Sequence, residues 1–123
     1  DLFAKWVTIP RTDDEVAAIE SVYSKLGFPG TICSIDGVHV LWHTCPAKQT
    51  YLHVGKEGKQ TRAFNVTVSP TRRILHVGPS HPGSRNDKTL SKYDWFMQRL
   101  QSGMYARHTF NTLDSQGRLV MQQ

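Results

Sequence analysis

Asp36 is the residue whose surroundings most strongly suggest chemistry. It interrupts the apolar run TICSIDGVHVLWH at residues 31–43 and is followed by a glycine. An ionised carboxylate in an apolar strand is costly unless it is paired or bound to a metal ion. A neighbouring glycine permits close approach, so Asp36 is a candidate metal ligand. Asp-Gly between apolar residues is also a strong hairpin signal, and it would make TICSI and VHVLW the two arms of a tight turn.

Asp87 is the second candidate and ends the string HVGPSHPGSRND. Strings rich in Gly, Pro, Ser and Asn usually turn the chain. Asp87 stands at the first turn of a predicted helix, where a carboxylate satisfies free N–H groups and suits the helix dipole. Helix capping therefore competes with metal binding as its role. Asp114, in the stretch DSQG, is better explained as a turn residue.

Other catalytic or metal-binding patterns are weak. His39, His43, Cys45 and His53 do not have the spacing of a common zinc site. Ser84 lacks the G-x-S-x-G elbow of a hydrolase nucleophile. The sequence has no phosphate-binding P-loop, no G-x-G-x-x-G and no C-x-x-C pair. The two aspartates are therefore the strongest candidates.

The positive charge of the chain is concentrated in one segment. The formal net charge is +5, and residues 43–73 contain six basic residues and one acid. Such a local excess is typical of a surface that binds a polyanion, although a solvated loop with lysines at its tips explains it about equally well. The basic residues of this segment are Lys48, Lys56, Lys59, Arg62, Arg72 and Arg73.

Three strands are expected to position Asp36 and the basic residues. Residues 31–43 read as a strand buried on both faces, because apolar residues occupy both alternating sets of positions. Residues 61–69 and 72–77 are the next candidates, and the short connection at Pro70 favours antiparallel pairing. The polar stretch 44–60 reads as a long loop, which is usually functional or mobile.

Helices flank these strands. Thr12 and Glu15 form a capping-box pattern before a helix that ends near Gly27. Residues 86–103 read as a second amphipathic helix, with apolar residues at helical spacing and Gly103 as its stop. Residues 108–121 alternate around a short turn and read as a hairpin. The predicted order is helix, three strands, helix, hairpin.

Length and composition bound the class of protein. At 123 residues the chain is about one domain, and it has no secretory signal and no apolar run near the roughly 18 residues of a membrane span. Two cysteines allow at most one bridge, which suits a reducing compartment. The absence of an initiator Met and the unpartnered apolar run at the end suggest part of a longer protein.

Three segments together resemble the catalytic domain of Harbinger-type (PIF/Harbinger) transposases, which are DDE superfamily endonucleases. They are GFPGTICSIDGVHV, GKEGKQTRAFNVTV and RRILHVGPSHPGSRNDKTL, and the resemblance covers about residues 24–95 and continues more loosely to 123. It implies an α/β, RNase H-like fold with a three-stranded antiparallel meander followed by a helix and a further hairpin. Residues 1–30 would be a helical lead-in, and 31–123 an incomplete nuclease domain.

The resemblance also implies a site. Asp36 matches the first acid of the family, and Asp87, 51 positions later, matches the acid of its G-S-x-N-D segment. These carboxylates would bind two Mg²⁺ or Mn²⁺ ions that cut DNA at transposon ends and join the freed end to a target. Asp114 lacks the family's surrounding pattern, so the remaining acids are expected beyond Gln123.

The resemblance further implies a nuclear protein that acts on DNA together with a separate DNA-binding partner protein. It is also compatible with a homo-oligomer. The basic residues of segment 43–73 would contact the DNA backbone without reading bases. Two alternatives stay open: a domesticated, transposase-derived binding module that has lost catalysis, and an unrelated α/β domain with two capping aspartates.

Overall fold

A computed structural model describes residues 2–122 and shows an α/β fold with two sheets. Strands β1, β2 and β3 form an antiparallel meander, and the short strand β4 also pairs with β2. Strands β5 and β6 form a separate hairpin. No helix among these residues has the length and apolar character needed to cross a membrane. The strands are β1 (Ser34–Leu41), β2 (Thr61–Val68), β3 (Ile74–Val77), β4 (His81–Pro82), β5 (Phe110–Leu113) and β6 (Leu119–Gln122).

Five helices accompany the strands in the described part of the chain. The N-terminus of α2 has the predicted cap, because the Thr12 side chain accepts a hydrogen bond from Glu15 N. The Glu15 carboxylate reaches back to Arg11 N at 2.7 Å, one residue before the cap. The helices are α1 (Leu2–Trp6), α2 (Asp13–Lys25), α3 (Thr50–His53), α4 (Asp87–Lys92) and α5 (Trp95–Gln101).

The three-stranded antiparallel meander is confirmed, but β1 is not buried on both faces as predicted. Every residue of β1 is half-buried or exposed, and Val40 is 53% exposed. Within residues 2–122, β1 pairs only with β2, so it forms the edge of the sheet. Its apolar side chains therefore lack the second covering layer that the sequence pattern indicates.

The hairpin alternative at Asp36-Gly37 is wrong, because β1 runs straight through both residues. Asp36 pairs with Val66 and Gly37 with Asn65 in one unbroken register. By contrast, the predicted hairpin near the end of the chain is confirmed. Asp114 Oδ1 accepts hydrogen bonds from Gln116 N and Arg118 N, both at 2.8 Å, and so closes its turn.

The predicted helix over 86–103 is two short helices that meet at Asp94. The Asp94 side chain accepts from Phe96 N at 2.8 Å and Met97 N at 3.4 Å, and thus begins α5. The Asp94 carboxylate is fully buried and also accepts from Asn65 Nδ2 at 2.8 Å. Because the N-cap residue of a helix has a non-helical backbone, a cap at Asp94 interrupts the predicted helix. The spacing of apolar residues does not reveal this interruption.

The main core lies between one face of the sheet and helices α4 and α5, and Val16 and Tyr23 of α2 are also buried. Residues 61, 63, 65 and 67 of β2 are buried, and the alternating residues are half-buried. Leu90 of α4 and Phe96 of α5 are almost fully buried. Helix α4 packs on β1 and β2, so this packing places Asp87, at the start of α4, next to β1.

Candidate functional site

Asp36 and Asp87 both contact Gly37. The Asp36 carboxylate accepts a hydrogen bond from Gly37 N at 2.8 Å. Asp87 Oδ1 fills the space where a Cβ atom on residue 37 would stand, and such an atom would come within clash distance of it. A side chain at position 37 would thus displace Asp87. The glycine that follows Asp36 therefore permits the approach of the second carboxylate.

The two carboxylates reach Gly37 from different directions. Trp42 N donates to Gln60 O, so Trp42 is hydrogen-bonded to the strand that continues into β2. In an antiparallel pair this bonding recurs at every second residue, and Asp36, six residues earlier, therefore also exchanges backbone hydrogen bonds with β2. The N–H of Gly37 consequently points to the open edge of the sheet, where the Asp36 carboxylate accepts from it. Asp87 lies instead on the face covered by α4. The site is a corner at the sheet edge.

Asp87 lies in the first turn of α4, as predicted, but it is not the N-cap of the helix. Asn86 is the N-cap, and its Oδ1 accepts from Thr89 N and Thr89 Oγ1, both at 2.9 Å. Within the described chain no hydrogen bond or ion pair engages the Asp87 carboxylate. Asp87 is therefore placed in the first turn of α4 with its oxygens available to a cation or a donor.

A cavity of about 140 Å³ adjoins Asp87. It carries two cationic side chains and one carboxylate, so its lining has a positive charge balance. His39 Nδ1 is 2.9 Å from Thr61 Oγ1, which holds the imidazole ring on its wall. The cavity therefore offers both a carboxylate for a cation and positive groups for a phosphate. It is lined by His39, Lys56, Gly83, Ser84, Arg85, Asn86 and Asp87.

Two glycines allow the loops around this cavity to pack closely against each other. A Cβ atom on Gly55 would clash with the backbone oxygen of Gly83, and one on Gly83 would clash with Thr61 and with His53 O. Ser84 Oγ also donates to Leu52 O at 2.6 Å. These contacts fasten the loop that carries Lys56 to the loop that carries Arg85, so the cavity walls are formed in advance of any ligand.

The basic residues of segment 43–73 do not form one patch. Lys56 lines the Asp87 cavity, and Arg62 is at the same end of β2. Arg72 and Arg73 lie in the turn after β2, roughly 25 Å away along the strand. The side chain of Arg73 bonds there to Thr8 Oγ1. Lys48 lies in a 3₁₀ turn (Ala47–Gln49), and Lys59 lies just before β2.

No group of three His, Cys, Asp or Glu side chains within residues 2–122 is close enough to hold a metal ion. His53 is buried and packs edge-on against Trp42, with the ring centroids 4.8 Å apart. Both cysteines are free thiols, and burial raises the pKa of Cys33 to about 11. A thiol with so high a pKa is a poor ligand and nucleophile near neutral pH. The oxygen donors at Gly37 remain as a partial site.

Sequence reasoning missed Arg85 and His81. Arg85 lies outside the basic segment, in the same string as Asp87, and its charge was not counted with that segment. His81 belongs to β4, a two-residue strand too short to give a periodic pattern. The signal that could have identified Arg85 was its position two residues before a candidate metal ligand.

Comparison with known proteins gives one match. No curated protein and no solved structure resembles the chain significantly. The model of the family described as plant transposon protein matches residues 5–120, which include Asp36, Asp87 and every residue of the Asp87 cavity. A match over nearly the whole sequence shows the family, and the chain therefore belongs to the plant transposon protein family.

Proposed function

We propose that this chain is part of a metal-dependent DNA endonuclease and strand-transfer domain of the Harbinger, DDE type, with an RNase H-like fold. The observation that carries the proposal is the contact of both the Asp36 and the Asp87 carboxylates with Gly37. Two acids distant in sequence thus both lie next to Gly37, one at the sheet edge and one on the α4 face. The family match supports an origin in a transposase.

The donor set fits a hard divalent cation. Mg²⁺ is usually held by one or two carboxylates, with water and substrate phosphate completing its shell. Asp36 and Asp87 would hold Mg²⁺ or Mn²⁺, which when bound would polarise a phosphodiester and lower the pKa of a bound water. The soft and nitrogen ligands typical of zinc do not gather here within residues 2–122.

The chain's own cations would hold the DNA backbone. Lys56 and Arg85 line the cavity next to Asp87, where they would neutralise phosphate charge and orient the strand toward the carboxylates. His39 and Asn86 add groups able to donate hydrogen bonds on the same walls. Lys48, Lys59, Arg62, Arg72 and Arg73 would contact the backbone at further points: the loop before β2, β2 itself and the turn after it.

Calorimetric titration with Mn²⁺ tests the metal site. Wild-type chain is expected to bind Mn²⁺ weakly, and Asp36→Asn and Asp87→Asn should each lower the affinity by about tenfold or more, because each removes a charged ligand. Asp114→Asn is the matched control, since Asp114 serves only its own turn. Unchanged Mn²⁺ binding in Asp36→Asn would rule the site out.

Salt dependence tests DNA contact. Duplex binding by the wild-type chain should weaken with salt on a log–log slope of a few units, and Lys56→Ala should reduce that slope by about one. Lys5→Ala, on α1, is the control and should leave the slope unchanged. A flat salt response would contradict backbone binding. Duplex binding with no Mn²⁺ site would instead favour the binding module without catalysis.

A further inference from the structure

Three cationic or titratable side chains and an aromatic ring form a basic edge cluster, defined here as Arg62, His81, Arg85 and Tyr93. Arg85 Nη1 is 3.1 Å from His81 Nδ1, and the Arg85 guanidinium lies 5.5 Å from the centre of the Tyr93 ring. The His81 and Tyr93 rings are 5.9 Å apart. The cluster thus combines positive charge with an aromatic surface.

The arginines of this cluster have no acidic partner. Within residues 2–122, neither Arg62 nor Arg85 has a carboxylate within ion-pair distance. Arg62 donates instead to Ser80 Oγ at 2.6 Å and Ser80 O at 3.2 Å, and lies 5.7 Å from the centre of the Trp42 ring. Two held but uncompensated guanidinium groups favour an external anion.

The environment of His81 is also positively charged. Arginine only donates hydrogen bonds, so in this contact His81 Nδ1 accepts from Arg85. Burial lowers the pKa of His81, and the charges of Arg85 and Arg62 lower it further. Both arginines therefore act on one point of the surface.

The cluster lies at the β4 edge of the sheet, across β2 from β1, and its member Arg85 connects it to the candidate site. His81 pairs with Ala63, so it shares the α4 face of the sheet, whereas Arg62 stands on the opposite face and donates there to Ser80. Arg85 also lines the Asp87 cavity. A narrow chain that crosses this edge would therefore lead into that cavity.

We propose that the basic edge cluster binds an unpaired DNA strand, with phosphates on Arg62 and Arg85 and a base stacked against Tyr93. The Tyr93 ring is 53% exposed, and only an unstacked base can present its flat face to it. In a duplex those faces are hidden by neighbouring base pairs. The choice of DNA rests on the proposed function, but the binding surface requires neither metal nor cleavage.

Fluorescence anisotropy with the intact chain tests this inference. The probes are a labelled dT decamer, a duplex decamer and an rU decamer, all in EDTA. Tyr93→Ala and Arg85→Ala should each weaken dT binding by about tenfold, as expected for loss of a base stack or a phosphate contact. Tyr93→Ala should leave duplex binding nearly unchanged. Tyr93→Phe should retain wild-type affinity for dT.

Arg99→Ala is the matched control, because Arg99 also lies over an aromatic ring, that of Trp95 at 5.0 Å, but outside the cluster. It should leave dT binding unchanged. Melting curves establish that each variant folds, and Tyr93→Leu replaces Tyr93→Ala if the alanine variant unfolds. Equal losses for dT and duplex, or unchanged dT binding in the Tyr93 variants, would overturn the proposal. Tenfold tighter binding of rU would overturn the choice of DNA.

The metal-free assay separates this inference from the proposed nuclease function. Asp36→Asn should leave dT binding intact even though it is expected to weaken Mn²⁺ binding by about tenfold or more. If Mn²⁺ binding fails in the wild type while dT binding behaves as expected, the nuclease proposal is wrong and the single-strand surface stands. If dT binding is lost in Asp36→Asn, the cluster does not act independently and the surface as proposed is wrong.

Discussion

Asp87 Oδ1 occupies the space that a Cβ atom on Gly37 would take. The glycine is thus a structural condition for placing the second carboxylate beside β1. Because the atom in the way belongs to the end of a flexible side chain, a larger residue at position 37 would move Asp87 and leave the backbone in place. Position 37 therefore allows the carboxylate site and the stability of the fold to be tested separately.

Gly37→Ala should weaken Mn²⁺ binding by about tenfold while changing the free energy of unfolding by less than about 1 kcal/mol. The affinity falls because Asp87 is displaced, whereas the strand itself accepts alanine. Calorimetry and urea denaturation measure the two quantities. In an Asp87→Asn background, Gly37→Ala should have no further effect on Mn²⁺ affinity. A full additional loss in that background would contradict the role assigned to Gly37.

Asp94→Asn should destabilise the chain by about 3 kcal/mol. His76 Nε2 is 3.0 Å from Asp94 Oδ1, although the N–H is not aligned for a hydrogen bond. Asn65 Nδ2 donates to Asp94 Oδ2. In Asp94→Asn an amide nitrogen in place of Oδ2 would face the Asn65 amide group, so two donors would oppose each other. Urea denaturation measures the loss. Asp114→Asn, in an exposed turn, should cost less than about 1 kcal/mol. Equal costs would mean that the buried carboxylate has no special role.

Gly83→Ala should destabilise the chain by about 3 kcal/mol, because the added methyl group would press on backbone oxygens of Thr61 and His53. Gly58→Ala is the control. Gly58 has a φ of 68° but no atom within 4 Å of an added Cβ, so the strain of its backbone alone should cost about 1 kcal/mol. Thermal or urea unfolding gives both values. A Gly83 variant as stable as the Gly58 variant would show that the two loops are not fastened together.

Tyr105 should make the free energy of unfolding fall as the pH rises into the alkaline range. Its hydroxyl donates to Pro10 O at 2.8 Å, and burial, then the charges of Cys33 and Glu15, raise its pKa to about 12. An unfolded tyrosine ionises near pH 10, so the unfolded state loses its proton first. The stabilisation is therefore complete below pH 10 and is lost as pH rises toward 12.

Tyr105→Phe should cost about 1 kcal/mol at pH 7 and should flatten the fall in stability between pH 10 and 12. Urea denaturation over this pH range measures the difference between the two proteins, which removes the shared titration of lysines and other tyrosines. Parallel pH curves for wild type and variant would contradict the raised pKa.

Local patterns predicted the elements whose stability is local. The cap at Thr12, the turn at Asp114 and the antiparallel pairing of β2 with β3 follow from short-range hydrogen bonding and short connections, whereas the pairing of β1 was expected from the family resemblance. The same reasoning failed at Asp94. Helical spacing on both sides of Asp94 suggested one helix, whereas its buried carboxylate ends one and begins another by contacts with β2 and β3.

The sequence by itself determined which residues could do chemistry: two acids 51 positions apart, a glycine after the first, and a segment rich in lysine and arginine. Only the tertiary structure decided that Asp87 lies beside Gly37, that Arg72 and Arg73 lie far from Lys56, and that Arg85 contacts His81. The physical reason is that residue type and local spacing determine charge and the propensity to form helices, strands and turns. Sheet register and helix packing, which depend on contacts distant in sequence, set distance.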